Sequence, residues 1–175
     1  MIKKLAIGFL GGPGCGKTTA AVGLYNRLKK EGLEVELVSE FAKELILENN
    51  KTALSYQKYV WATQCYRMYC AYKRTQLVIT DAPILLGAIY NENISQSFLD
   101  VILEEHHKFN NINIIVPRDL SRPYSMAGRI HSLTESIAID NRIINLLEIN
   151  NIPYITLNEV TENDLVEIIL KSINF

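Results

Sequence analysis

The sequence predicts an α/β fold in which helices cover both faces of a parallel sheet. Three observations predict it. Near-continuous apolar runs, the first at residues 5–10, have the composition of strands buried on both faces. These runs alternate with longer segments whose apolar residues recur every three or four positions. The first run also leads through Gly11-Gly12-Pro13-Gly14-Cys15-Gly16-Lys17-Thr18-Thr19 directly into a helical pattern.

That glycine-rich stretch meets the physical demands of a polyphosphate. Gly12, Gly14 and Gly16 allow backbone torsions and close approaches that a side chain would block, so successive N–H groups can point into one concavity. Pro13, Cys15 and Thr19 complete the same main-chain cradle. Lys17 can bridge the β- and γ-phosphates at the N-terminus of the following helix, and the Thr18 hydroxyl can ligate Mg²⁺. The stretch reads as a phosphate-binding loop, or P-loop.

The helix after the loop runs from Lys17 to about Lys30, with Ala20, Ala21, Leu24 and Leu28 at core spacing and Gly32 past its end. Residues 33–38 alternate apolar and charged, as in a strand nearer an edge. A helix begins at Ser39-Glu40-Phe41, at the carboxyl end of this second strand. Ligands bind beside such strand ends, so Glu40 can face an acceptor; a solvated carboxylate at a helix start is the alternative.

Residues 55–74 read as a long helix carrying six aromatics. Most serve packing; Trp61 and Tyr66 are the choices for stacking on a flat ring. Arg67 can meet a phosphate or form a surface ion pair. The third strand, 77–81, ends in Asp81, a residue type that holds Mg²⁺ or its waters when it lies beside a phosphate loop. Helices follow over 84–90 and 95–107, the second capped by Ser95, with His106 and His107 read as solvated. Residues 112–116 form the fourth strand.

Residues 117–131 are the least regular part of the chain and carry Arg118, Arg122 and Arg129 against Asp119. Arginines on such a segment can close over transferring phosphates, which makes about 117–133 a lid, with Arg129 the leading candidate. A helix at 134–150, a fifth strand at 152–157 and a final helix opened by Thr161-Glu162-Asn163-Asp164 complete the chain.

With 175 residues, 48% of them apolar, the chain suits a single domain over 1–175. A net charge of −1 gives no general attraction to nucleic acid or membrane. Cys15, Cys65 and Cys70 form no Cys-x-x-Cys pair and read as free thiols of a reducing, cytoplasmic setting. No stretch approaches the length of a membrane span. An oligomer is compatible with all of this.

A GTP switch needs a guanine-reading Asn-Lys-x-Asp, which the sequence lacks. A motor-type ATPase usually carries a second carboxylate beside its strand-end Asp, and here Asp81 is followed by Ala82. A small-molecule kinase needs a phosphate cradle, a metal, a group that orients the acceptor and positive charge over the γ-phosphate. The chain offers residues 11–19, the metal pair Thr18 and Asp81, Glu40, and Arg129 with Arg118 or Arg122. The catalytic set is then Lys17, Glu40, Asp81 and Arg129, with ATP and Mg²⁺ as cofactors and a nucleoside, nucleotide or related small molecule as acceptor. A regulatory ATPase with a protein partner, and a kinase acting on a hydroxyl within nucleic acid, are the alternatives.

The sequence also resembles the P-loop kinase domain of the NadR type, within the P-loop NTPase superfamily, whose characterised member phosphorylates nicotinamide riboside. The likeness rests on Gly12-Pro13-Gly14-Cys15-Gly16-Lys17-Thr18-Thr19, Ser39-Glu40-Phe41-Ala42-Lys43 and Asp81. It continues in Tyr124-x-x-x-Gly128-Arg129, Glu135, Ile139-Asp140-x-x-Ile143 and Ile152-Pro153-Tyr154-Ile155. It covers most of the chain and extends to the kinase part of that protein, not to the adenylyltransferase joined to it. The resemblance implies a three-layer fold with a five-stranded parallel sheet, nucleoside- or nucleotide-kinase-like, together with ATP, Mg²⁺, a riboside-type acceptor and a lid arginine at Arg129.

Overall fold

The computed structural model describes residues 3–91, 93–121, 123–125 and 130–173. Five parallel strands form one sheet: β1 (Leu5–Leu10), β2 (Val35–Val38), β3 (Leu77–Thr80), β4 (Asn111–Ile115) and β5 (Ile155–Thr156), in the order β2-β3-β1-β4-β5. The helices between them are α1 (Lys17–Lys30), α2 (Phe41–Leu47), α3 (Lys51–Ser55), α4 (Gln57–Arg74), α5 (Gly87–Tyr90), α6 (Gln96–His107), α7 (Leu133–Ile149) and α8 (Glu162–Ile173). A short 3-10 turn, Ile84–Leu86, precedes α5.

All six β1 residues are buried because the strand is central and covered twice. Its side chains divide by the two-residue period of a strand. Leu5, Ile7 and Phe9 pack with Leu77, Ile79 and Ile114 under Leu24 and Leu28 of α1 and Leu165 and Ile169 of α8. Ala6 and Leu10 face the other way, with Val78 and Ile115, toward Met68 of α4, Ile102 of α6 and Ile143 and Leu147 of α7. The result is three layers, helix, sheet, helix. Each fully buried Leu or Ile contributes about 1.5–3 kcal/mol through removal of apolar surface from water.

Register aligns the strand ends. Ile7 pairs with Ile79 and Ile112, and Val38 with Thr80, so β1, β2, β3 and β4 deliver their C-terminal loops to one edge of the sheet. β1 leaves toward β2 and its neighbour β3 leaves toward β4, in opposite directions, which opens a crevice between β1 and β3. A smaller apolar cluster of Phe41, Leu45 and Val60 fastens α2 to α4 beside it.

The boundaries differ from the sequence reading in a few places. The fifth strand pairs only at Ile155 and Thr156, although Leu157 N–H still donates to the Ile115 carbonyl. Pro153 has no N–H for the ladder, and its carbonyl instead accepts from Asn113 Nδ2. Residues 51–55 form a separate short helix, capped where Asn50 Oδ1 accepts from Ala53 N–H. The expected acidic capping signal is present before α8, where Thr161 and Asp164 exchange hydrogen bonds.

His106 is not solvated. It lies one turn beyond buried Ile102 on α6 and is 5% exposed, and burial with His107 nearby lowers its pKa to about 4. The unfolded chain therefore binds a proton near pH 6.5 that the folded chain refuses until about pH 4. Stability should fall by about 3 kcal/mol over that window relative to His106→Leu, and the two should track each other above pH 7. Urea unfolding of both proteins across pH 4–8 checks this; parallel curves would contradict it.

Candidate active site

The P-loop follows from local conformation. Gly14 and Gly16 have φ of 82° and 105°, the left-handed region that favours glycine, and Gly16 caps α1 with no side-chain hydrogen bond. The first turn of α1 contains no acid, while Arg27, Lys29 and Lys30 occupy its last turn. The N-terminal N–H groups of α1 thus face a region free of a competing carboxylate from their own helix, as an anion site requires. Lys17, 9% exposed, lies back along the loop and donates to the Gly12 carbonyl at 3.1 Å.

The end of β3 meets the loop directly. Thr18 Oγ1 donates to Asp81 Oδ2 at 2.5 Å, and Asp81 Oδ1 is buried with no hydrogen-bond partner among the described residues. A buried carboxylate oxygen without a partner is costly, and a divalent cation is one group that would satisfy it. A hydroxyl and one carboxylate are donors of the kind that would hold Mg²⁺ were water and phosphate oxygens to complete its shell. No group of three or more His, Cys, Asp or Glu that could cage a metal occurs among the described residues.

Glu40 is the N-cap residue of α2, brought to the edge by β2. Burial raises its pKa, with Lys17 pulling it down, Asp81 pushing it up and Lys43 pulling it down. Its position depends on Gln64, which sequence reasoning missed. Gln64 is buried on α4; its Oε1 accepts from Phe41 N–H at 3.1 Å and its Nε2 donates to Thr80 Oγ1 at 3.4 Å. One amide thus ties the start of α2 to the residue before Asp81. Arg67 adds a bidentate pair with Glu44, at 2.5 and 2.8 Å, and lies 4.6 Å from the centre of the Phe41 ring. It is the ion-pair reading of Arg67 that the structure shows.

These groups open onto a cavity of about 890 Å³. The loop lines one end through Pro13, Gly14, Gly16, Lys17, Thr18 and Thr19, with Glu40 beside them. Beyond Glu40 the wall combines aromatic and apolar residues, including Phe41, Trp61, Ile84 and Tyr90, with polar ones such as Lys43, Lys58 and Asn91. Burial pushes the Tyr90 phenol up, and its ring lies 5.8 Å from that of His131, which also lines the cavity. Trp61 reaches the cavity while packing edge-on against Phe98, with ring centroids 5.1 Å apart. Tyr66 does not reach it. It is 68% exposed, on the side of α4 that carries Cys70 and Arg74.

Gly12 and Cys15 belong to the loop but not to the cavity wall, and burial raises the Cys15 pKa, so the thiol stays protonated at neutral pH. Arg118 is held beside Gly12: its Nε donates to Asp140 Oδ2 at 2.7 Å. Arg122 and Arg129 lie outside the described residues, as do 126–128 of the expected lid.

The family model described as an AAA domain matches residues 6–164. The chain belongs to that AAA domain family. Among solved structures, this AAA domain superposes on deoxyadenosine kinase from M. mycoides with bound dATP at 18% identity and a TM-score of 0.56, covering 98% of this chain and 100% of that one. It superposes on thymidylate kinase from Ehrlichia chaffeensis at 15% identity and a TM-score of 0.62, covering 95% and 99%. The AAA domain therefore has the α/β architecture of nucleoside and nucleotide kinases, with the sheet order β2-β3-β1-β4-β5. No curated protein matches the chain by sequence. No helix among the described residues is long and apolar enough to cross a membrane.

Proposed function

We propose that the chain is an ATP-dependent kinase that transfers the γ-phosphate to a hydroxyl or phosphate of a nucleoside, nucleotide or related small molecule. The observation that carries the reading is a half-buried, charge-flanked carboxylate, Glu40, standing between the P-loop and a cavity walled by aromatic rings. A hydrolase needs only water at that point, whereas a cavity of about 890 Å³ has room for an organic acceptor. The NadR-type resemblance favours a riboside within this class, and the kinases of like fold support a nucleoside or nucleotide.

On this reading the loop amides and Lys17 hold the β- and γ-phosphates. Thr18 and Asp81 would hold Mg²⁺, which neutralises phosphate charge when bound. Glu40 orients the acceptor hydroxyl and accepts its proton as the acceptor oxygen bonds to the γ-phosphorus and the bond to ADP breaks. Its raised pKa makes it a better base than an exposed glutamate. On the same reading the lid, about 117–133 within the single domain 1–175, would supply positive charge to the γ-phosphate through Arg129 with Arg118 or Arg122.

A coupled ADP-release assay with MgATP across ribosides, deoxyribosides and their monophosphates tests the reading. Turnover should depend on the acceptor. The chain has one tryptophan, and it lines the cavity, so acceptors that support turnover should also change its emission saturably. ATP consumption independent of every acceptor would point to a regulatory ATPase instead.

A further inference from the structure

The P-loop is anchored to a part of the molecule far from it in sequence. Gly12 N–H donates to Asp140 Oδ1 at 2.5 Å across 128 positions. The other oxygen of the same carboxylate accepts from Arg118 Nε, and the Arg118 side chain is 8% exposed. Asp140 and Ser136 lie one turn apart on α7 and meet the loop together. A Cβ at Gly12 would fall onto the Ser136 carbonyl and within 2.9 Å of Asp140 Oδ1, so only glycine allows this approach. Arg118 Nη2 is buried without a partner among the described residues, beside the same Gly12.

The network continues past the loop. Arg118 lies 5.9 Å from the centre of the Tyr124 ring. The Tyr124 hydroxyl bonds both Ser136 Oγ, at 2.9 Å, and the His131 carbonyl, at 2.8 Å, and His131 lines the cavity. Contacts thus run from the P-loop through Arg118, Tyr124 and α7 to His131, a residue that lines the cavity.

We infer that Asp140 is a positioning residue for nucleotide binding: it sets the entry of the P-loop through Gly12 and holds Arg118 against it. The carboxylate suits this role because it accepts on both oxygens, one from a main-chain amide and one from a guanidinium. Both are hydrogen bonds to an ionised acceptor, stronger than neutral ones. Loss of Asp140 leaves the Gly12 amide and the Arg118 guanidinium without that acceptor, and the phosphate-binding amides that follow Gly12 lose a fixed origin. The inference shares with the kinase reading only the premise that the loop binds a nucleoside triphosphate.

The test is calorimetric titration of the whole chain with MgATP, and with MgGTP as a second probe. It compares the parent protein with Asp140→Ala, Asp140→Asn, Arg118→Ala and the Asp140→Ala/Arg118→Ala double variant. Asp140→Ala should raise Kd about tenfold or more. Asp140→Asn keeps an acceptor for Gly12 N–H but loses the charge opposite Arg118, so its Kd should lie between. The double variant should bind no worse than Asp140→Ala alone, because both changes break one unit. A merely structural role would lower the binding stoichiometry through a smaller folded fraction and leave Kd unmoved. Should Asp140→Ala not fold, near-isosteric Asp140→Asn decides, and a Kd within twofold of the parent overturns the inference. Parent binding with unchanged variants sinks this inference alone; a parent that binds neither nucleotide sinks the kinase reading with it.

Discussion

Lys17→Ala is expected to lower turnover by at least about a thousandfold, because on the proposed reading it removes the loop cation that holds the β- and γ-phosphates. The structure explains why no neighbour substitutes for it. Lys17 is buried at the base of the loop and bonds the Gly12 carbonyl, and Lys43, the other lysine felt by Glu40, is exposed on α2. Folding should survive, since the change costs one hydrogen bond to a carbonyl, about 1 kcal/mol. The variant also loses the charge that holds Glu40 down, so what activity remains should shift to higher pH. ADP release at saturating acceptor, with a thermal melt as the folding control, measures all three. Turnover within tenfold of the parent would show that this ammonium does not act on the phosphoryl group.

The parts legible in the sequence were those whose cause is local. Residues 5–10 read as a strand because both faces of β1 are covered, and residues 11–19 read as a loop because left-handed torsions at Gly14 and Gly16 demand glycine. Edge placement of β2 was legible from its alternation of apolar and charged residues, Val35 and Val38 buried and Glu36 and Leu37 half-buried. The roles that escaped notice act over long separations. Gln64 reads as an ordinary helix glutamine, and only the fold puts Phe41 and Thr80 at either end of its amide. Asp140 stands in the sequence reading only within Ile139-Asp140-x-x-Ile143, with no role attached, because its partner Gly12 lies at the other end of the chain. His106 is a different case. Its spacing of four from buried Ile102 puts it on the inner face of α6, while the sequence reading takes both histidines as solvated.

Glu40→Gln is expected to lower kcat by about a hundredfold to ten thousandfold while leaving the affinity for MgATP within about threefold. The amide preserves shape and the N-cap position of α2, so the loop, Thr18 and Asp81 keep their geometry. On the proposed reading, what disappears is the carboxylate that takes the proton from the acceptor. The pH profile separates this role from a structural one. In the parent, Glu40 must be ionised to act, and burial together with Asp81 raises its pKa against the opposing pull of Lys17 and Lys43. Activity should therefore fall as pH drops through a midpoint above the usual carboxylate range, seen as the acidic limb of kcat/KM. In Glu40→Gln that limb should vanish and the residual rate run flat, because the group that titrates is gone. A limb that persists in the variant assigns the ionisation to another residue, and a variant as fast as the parent removes Glu40 from the chemistry.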